Sequence, residues 1–188
     1  MEAACESDAS RMKKILDELK KEDIDDEKRE ELLELLEEFL ENLDNAVDFQ
    51  NLEGYQFILD LINSSSNDNV ILRCFSLLGT ASQNQPKVQK ILTETSIIPQ
   101  IMDFVNKSTN LTLKTKGIRC LSCIITNNEA GSKVFLFNNG LNILKLILFD
   151  DSISYVPLFQ KSLILLKDLA FQEVMFIVCL MRITHFHM

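Results

Sequence analysis

Cys120 and Cys123 stand three residues apart, a spacing used both by disulfide-exchange pairs and by half of a tetrahedral zinc site. A zinc site needs a second pair of ligands, and a redox pair sits at a strand-to-helix turn. The surrounding segment TKGIRCLSCIITN instead has the apolar spacing of a helix interior, which makes these thiols core residues. The five cysteines, at 5, 74, 120, 123 and 179, are odd in number and are expected to be reduced. The only histidines, His185 and His187, lie near Cys179 at the end of the chain, where a frayed tail accounts for them better than a metal site. Five glycines form neither a dinucleotide fingerprint nor a phosphate loop. No catalytic residue, cofactor or metal site is expected, so the chain should bind rather than transform.

Charge narrows the class of partner. Residues 1–44 hold 17 acidic and 7 basic side chains, whereas residues 45–188 hold 11 acidic and 12 basic, so the net charge of −9 is an N-terminal property. No concentrated basic surface is available to displace counterions from phosphate, which argues against nucleic acid. The longest apolar run, Val174–Met181, is too short to span a bilayer, and the first residues lack a charged start followed by an apolar stretch. A cytoplasmic protein without a membrane partner or small-molecule substrate is expected. The Asn-x-Ser/Thr triplets at Asn63, Asn106 and Asn110 would matter only on the secretory route.

The elements that could present a binding surface recur. Shifted by 43 residues, Ile58, Leu59, Leu61 and Ile62 fall on Ile101, Met102, Phe104 and Val105, and Asn84 falls on Asn127; a further 43 carries Gly54 to Gly140. A third copy has two extra residues within FDDSISYVP, after which Lys116, Cys120 and Leu121 match Lys161, Leu165 and Leu166. A period of this size signals a solenoid. Each copy reads as a short helix (86–92, 131–137), a second helix opening near Gly54, Ile97 or Gly140, a polar linker, and a longer third helix from near Val70, Leu113 or Val156. Three helices per repeat is the armadillo arrangement. The third helices should bury 71, 74, 75 and 78, then 118, 121, 124 and 125, then 158, 159, 163 and 166.

The predicted fold is therefore all-α, an armadillo-like right-handed solenoid of about three repeats at 54–172. It is preceded by a mobile segment with a short helix (1–26) and by cap helices (27–53), and followed by a divergent tail (173–188). Ser10 is placed to cap the first helix. In the cap, Leu32, Leu36, Phe39, Leu40 and Leu43 form one stripe and glutamates cover the rest, as a terminal repeat without an outer neighbour requires. A coiled-coil partner is the competing use, but fewer than three heptads are present. Asn42, Asp44 and Asn45 can bond backbone groups at the next helix junction.

Stacked third helices create a concave surface. The side chains at equivalent steps along it are Arg73, Ser76, Thr80, Gln83 and Asn84, then Lys116, Arg119, Cys123 and Asn127, then Lys161, Ile164, Lys167 and Asp168. The charged ones are mainly basic. Reversing Arg73 or Arg119 should weaken binding of a partner, while Gln83 and Asn84 also suit a helix end.

The segment ENLDNAVDFQNLEG, with LLGTASQN (77–84), TKGIRCLSCIITN (115–127) and FQKSLILLKDLA (159–170), resembles the armadillo-type nucleotide-exchange factors of DnaK-class heat-shock chaperones. The resemblance spans about residues 28–172 and is strongest at ENLDNA (41–46) and GT-x-x-QN (79–84). GTASQN looks like the cytosolic branch rather than its endoplasmic-reticulum relative. The resemblance implies a co-chaperone that grips one lobe of the chaperone ATPase domain with its concave face and promotes ADP release; the alternative is an armadillo scaffold without exchange activity. It also implies a chain shortened at its C-terminus, because family members carry a further repeat where this one has EVMFIVCLMRITHFHM. The third repeat is then under-capped: a monomer is expected, with self-association possible through the tail.

Overall fold

Helix starts in this chain are written by side chains that cap their own backbone, and the caps repeat with the sequence. The Asn67 side chain accepts from the amides of Asn69 (2.8 Å) and Val70 (3.4 Å), and Asn110, 43 positions on, accepts from Thr112 (2.9 Å) and Leu113 (3.2 Å). Ahead of each, the asparagine amide donates to a serine hydroxyl two residues back, Ser65 (3.1 Å) or Ser108 (3.2 Å). These bonds satisfy amides that a helix start leaves orphaned. Asn110 is thus a helix cap, which is what the third Asn-x-Ser/Thr triplet does here.

A computed structural model of the chain describes residues 6–21, 23–149 and 155–185, with 173–185 as backbone only. Among the described residues all regular structure is helical: α1 (Asp8–Leu19), α2 (Asp26–Leu40), α3 (Leu43–Asn51), α4 (Gly54–Ser64), α5 (Asp68–Ser82), α6 (Pro86–Thr93), α7 (Ile97–Lys107), α8 (Leu111–Ile125), α9 (Glu129–Phe137), α10 (Gly140–Leu148) and α11 (Val156–His185). α3, α6 and α9 are the short first helices, α4, α7 and α10 the second, and α5, α8 and α11 the third. The architecture is armadillo-like. Two compact halves, Met1–Ile97 and Ile98–Met188, divide the chain.

In the N-terminal half α2 packs on α5, α1 and α3, and α4 packs on α3 and α5. Met12, Ile15, Leu16 and Leu19 of α1 are buried, so the short helix is a packed part of the cap. Its cap is Ser7, whose hydroxyl accepts from the Ser10 amide at 3.3 Å; Ser10 itself lies within the first turn, a correction of three residues. On α2 the buried residues are Leu32, Leu33, Leu36 and Leu40. Leu33 is added because two neighbours cover this helix, while Phe39 is half-buried beneath the Arg11 guanidinium (4.7 Å to the ring centroid) and Leu43 opens α3. Asn42 caps α3 through the Asp44 amide (2.9 Å), and the Asn45 side-chain amide donates to the Phe39 carbonyl (3.1 Å).

In the C-terminal half α11 packs on α8 and α10, and α9 on α8 and α10. The predicted stripes of α5 and α8 are buried at every position. That of α11 is not: Leu158, Ser162, Leu165 and Leu169 are buried, whereas Phe159 is 42% and Leu163 49% exposed and Leu166 is half-buried. The sequence offers two adjacent apolar stripes on α11. Packing uses the one that carries a serine at its centre. Of FDDSISYVP, which holds the two-residue insertion, residues 150–154 lie outside the described residues, as do the side chains of Cys179 and His185 and all of Cys5 and His187.

A close approach joins the first helix of a repeat to the second. A Cβ on Gly54 would run into the Phe49 ring, and one on Gly140 into the Phe135 ring, 86 residues further along in both cases. At the same two positions of the middle repeat stand Leu92 and Ile97, both buried. The large ring and the missing side chain go together, and a smaller residue in place of the ring admits a larger one in place of the glycine. Replacing Gly54→Ile should destabilise the fold by about 1–3 kcal/mol through overpacking. The double variant Phe49→Leu/Gly54→Ile should recover a good part of that in urea titrations, and additive losses would refute the exchange of volumes.

Candidate functional site

Third helices place their unburied sides where a partner could meet them, and the N-terminal half uses part of that side internally. Arg73 Nη2 lies 3.1 Å from Glu34 Oε2 of α2, and the hydroxyls of Ser76 (2.9 Å) and Thr80 (2.6 Å) both donate to Glu37 Oε1. At the helix starts, the Asn67 side-chain amide donates to Asp26 Oδ2 at 2.8 Å. Contacts that ascend together along both chains mean that α2 and α5 run side by side in the same direction, α2 standing in the place of the third helix of a preceding repeat. Glu34 and Glu37 were therefore missed as interacting residues. The available signal was their charge, opposite to that of Arg73 across the junction.

Of the predicted surface positions, Gln83, Arg119, Asn127, Lys161 and Lys167 are exposed and Arg73, Ser76, Thr80, Lys116 and Cys123 are half-buried. Arg73, Ser76 and Thr80 are brought together by α2 as above. Asn84 and Asn127 have left-handed backbone (φ 57° and 58°), a conformation asparagine tolerates better than most residues. Their place in the repeat is explained by the turn that follows α5 and α8. Lys167 pairs with its neighbour Asp168 at 3.1 Å.

Around Cys123 the arrangement differs. Burial is the main influence on its thiol and pushes the pKa up, while the positive charges of Arg119 on α8 and Lys161 on α11 oppose the shift. The net result is a protonated thiol at neutral pH, which is a poor nucleophile. Neither it nor Cys120 nor Cys74 is in a disulfide, and Cys74 and Cys120 are buried. Among the described residues Lys116, Arg119 and Lys161 form no ion pair, and no group of three or more histidine, cysteine or carboxylate side chains could hold a metal. The C-terminal half thus presents uncompensated cations on α8 and α11, and their chemistry is recognition of anionic groups. Among the same residues no helix is long and apolar enough to cross a membrane.

The family model of the SIL1/FES1/HPBP1 C-terminal domain matches residues 45–178, and that of nucleotide exchange factor Fes1 matches residues 1–49. Hsp70-binding protein 1 of Rattus norvegicus is 29% identical over 120 residues, which are 64% of this chain and 34% of that protein; the Homo sapiens protein is also 29% identical, with 33% of its length covered. Hsp70 nucleotide exchange factor FES1 of Saccharomyces cerevisiae is 28% identical over 118 residues, 62% of this chain and 41% of its own. The chain therefore spans less than half the length of these relatives. Among solved structures, an engineered protein of the Northeast Structural Genomics Consortium superposes with a TM-score of 0.72 at 13% identity, over 85% of this chain and 62% of the other, a likeness of fold. With one family model matching residues 45–178 and the other residues 1–49, this chain belongs to the SIL1/FES1/HPBP1 family.

Proposed function

We propose that this chain is a cytoplasmic co-chaperone that binds the ATPase domain of an Hsp70-class (DnaK-class) chaperone and promotes release of ADP. The observation that carries the reading is the set of cations at Lys116, Arg119 and Lys161, which form no ion pair among the described residues. It lies on a chain of the SIL1/FES1/HPBP1 family whose relatives are named for Hsp70 binding and nucleotide exchange. In the C-terminal half the surface offered is the unburied side of α8 and α11, with Cys123, Lys167 and, just after α8, Asn127; in the N-terminal half Arg73, Ser76 and Thr80 of α5 and Gln83 just after it stand at the equivalent steps.

The mechanism needs binding energy and no catalytic group, so the chain acts without being an enzyme. A nucleotide held between two lobes stays while the lobes are closed. A partner with higher affinity for the opened arrangement shifts the population toward opening, by no more than its differential affinity. Linkage makes the effect reciprocal: nucleotide binding weakens the hold of the exchange factor by the same factor, with couplings of this kind typically about 1–3 kcal/mol. A stopped-flow chase of fluorescent ADP from the chaperone tests this. Release should accelerate with added chain and saturate; an unchanged rate at saturating chain would leave an armadillo scaffold without exchange activity.

Charge reversal locates the surface. Arg119→Glu and Lys161→Glu should each weaken chaperone binding at least about tenfold, or about 1.4 kcal/mol, with helical content unchanged. Affinities equal to that of the parent would move the site off α8 and α11.

Arg73→Glu should also weaken binding, but it faces Glu34 within the chain, so part of its effect is on the cap. We expect a stability loss on the order of 1 kcal/mol or less, as for exposed pairs. The exchange Glu34→Arg/Arg73→Glu should restore stability in thermal melts without restoring chaperone affinity. Full recovery of affinity by the exchange would show that Arg73 acts only through the cap.

A further inference from the structure

Arg11 of α1 reaches across to α2, where its guanidinium lies over the Phe39 ring, 4.7 Å from the centroid, and its Nη1 stands 3.6 Å from Asp8 Oδ1. An aromatic face and a carboxylate are the two groups that a guanidinium seeks. Both are held in place from α3: the Asn45 side-chain amide donates to Asp8 Oδ2 and to the Phe39 carbonyl, each at 3.1 Å. These four residues line an open cavity of about 330 Å³ bordered by α1, α2 and the start of α3. Clefts that take small ligands run from about 300 to 1,000 Å³, so one side chain of a partner fits.

Arg11 leaves part of this cavity unused. Glu38 also lines it, is exposed, and forms no ion pair among the described residues. Leu35, one turn earlier on the same face of α2, lines it as well and is 38% exposed. Among the described residues of the N-terminal half it is the only exposed large hydrophobic side chain, and it stands beside the free carboxylate. Asp8 and Glu38 outnumber Arg11, within a segment (1–44) of 17 acidic and 7 basic side chains, so the local field draws cations and repels anions. A metal ion fits less well, since no group of three or more ligating side chains forms among the described residues.

We propose that this cavity binds an arginine side chain of a partner protein, its guanidinium against Glu38 and the Phe39 ring and its aliphatic stem along Leu35. Arg11 is then the resident competitor for the ring, tethered by Asp8. The site lies on the cap, whereas the exchange reading uses the cations of α8 and α11, so the two stand or fall separately.

Nuclear magnetic resonance titration of the full chain, isotopically labelled, with the blocked peptide acetyl-Gly-Arg-Gly-amide tests the assignment. Saturable shifts should centre on the amides of residues 8–11 and 35–45. The twin peptide with citrulline in place of arginine keeps the shape and loses the charge, and should bind at least about fivefold more weakly. Glu38→Gln should weaken the arginine peptide about two- to fivefold, as for an exposed ion pair. Glu27→Gln removes the same charge from the first turn of α2, outside the cavity, and should leave the affinity unchanged. Arg11→Ala should strengthen binding about two- to fivefold by freeing the ring, a gain that a merely structural arginine would not give. Helical circular dichroism of each variant should match that of the parent. No saturable shift at the solubility limit of the peptide, equal binding of the citrulline twin, equal losses from Glu38→Gln and Glu27→Gln, or weaker binding by folded Arg11→Ala would each overturn the proposal.

Discussion

Leu32, Leu33, Leu36 and Leu40 of α2 are nearly inaccessible to water, and they reach that state because α1 and α5 cover them from two sides. Burial of a leucine is worth about 1.5–3 kcal/mol, whereas an isolated helix of fifteen residues is marginal in water. Helices in a repeat array therefore exist only as neighbours of other helices. In the N-terminal half α1 and α2 act as an incomplete repeat: one side is apolar and docked, the other is acidic and wet.

The same requirement explains why α5 is occupied along part of its polar side. Because α2 runs beside α5 as a preceding third helix would, its glutamates come level with Arg73, Ser76 and Thr80 and bond to them. What remains uncompensated is further along the chain, where Arg119 and Lys161 influence a half-buried thiol and form no ion pair among the described residues. A single architectural rule thus produces a neutralised surface in one half and a cationic one in the other.

Local volume follows the repeat as well. Phe49 with Gly54, Leu92 with Ile97, and Phe135 with Gly140 are three solutions to the same junction, a ring against a glycine in two repeats and two aliphatic side chains in the third. Interiors packed to crystal density leave no room for a phenylalanine ring and a second side chain together. The glycines at two of these sites are there for contact rather than for backbone freedom, since neither has positive φ.

Much of this was legible in the sequence, because capping and helical periodicity are carried by residues a few positions apart. The 43-residue period, the start of α2 at Asp26, and the buried stripes of α5 and α8 all follow from local chemistry, as does the core placement of Cys74 and Cys120. Tertiary structure decided what depends on a distant neighbour. α11 carries two apolar stripes, and only its packing on α8 and α10 selects Leu158, Ser162, Leu165 and Leu169 over Phe159 and Leu163. Glu34 and Glu37 look solvated in a sequence read one helix at a time. Their bonds to Arg73, Ser76 and Thr80 exist because two helices about forty residues apart in the chain lie side by side.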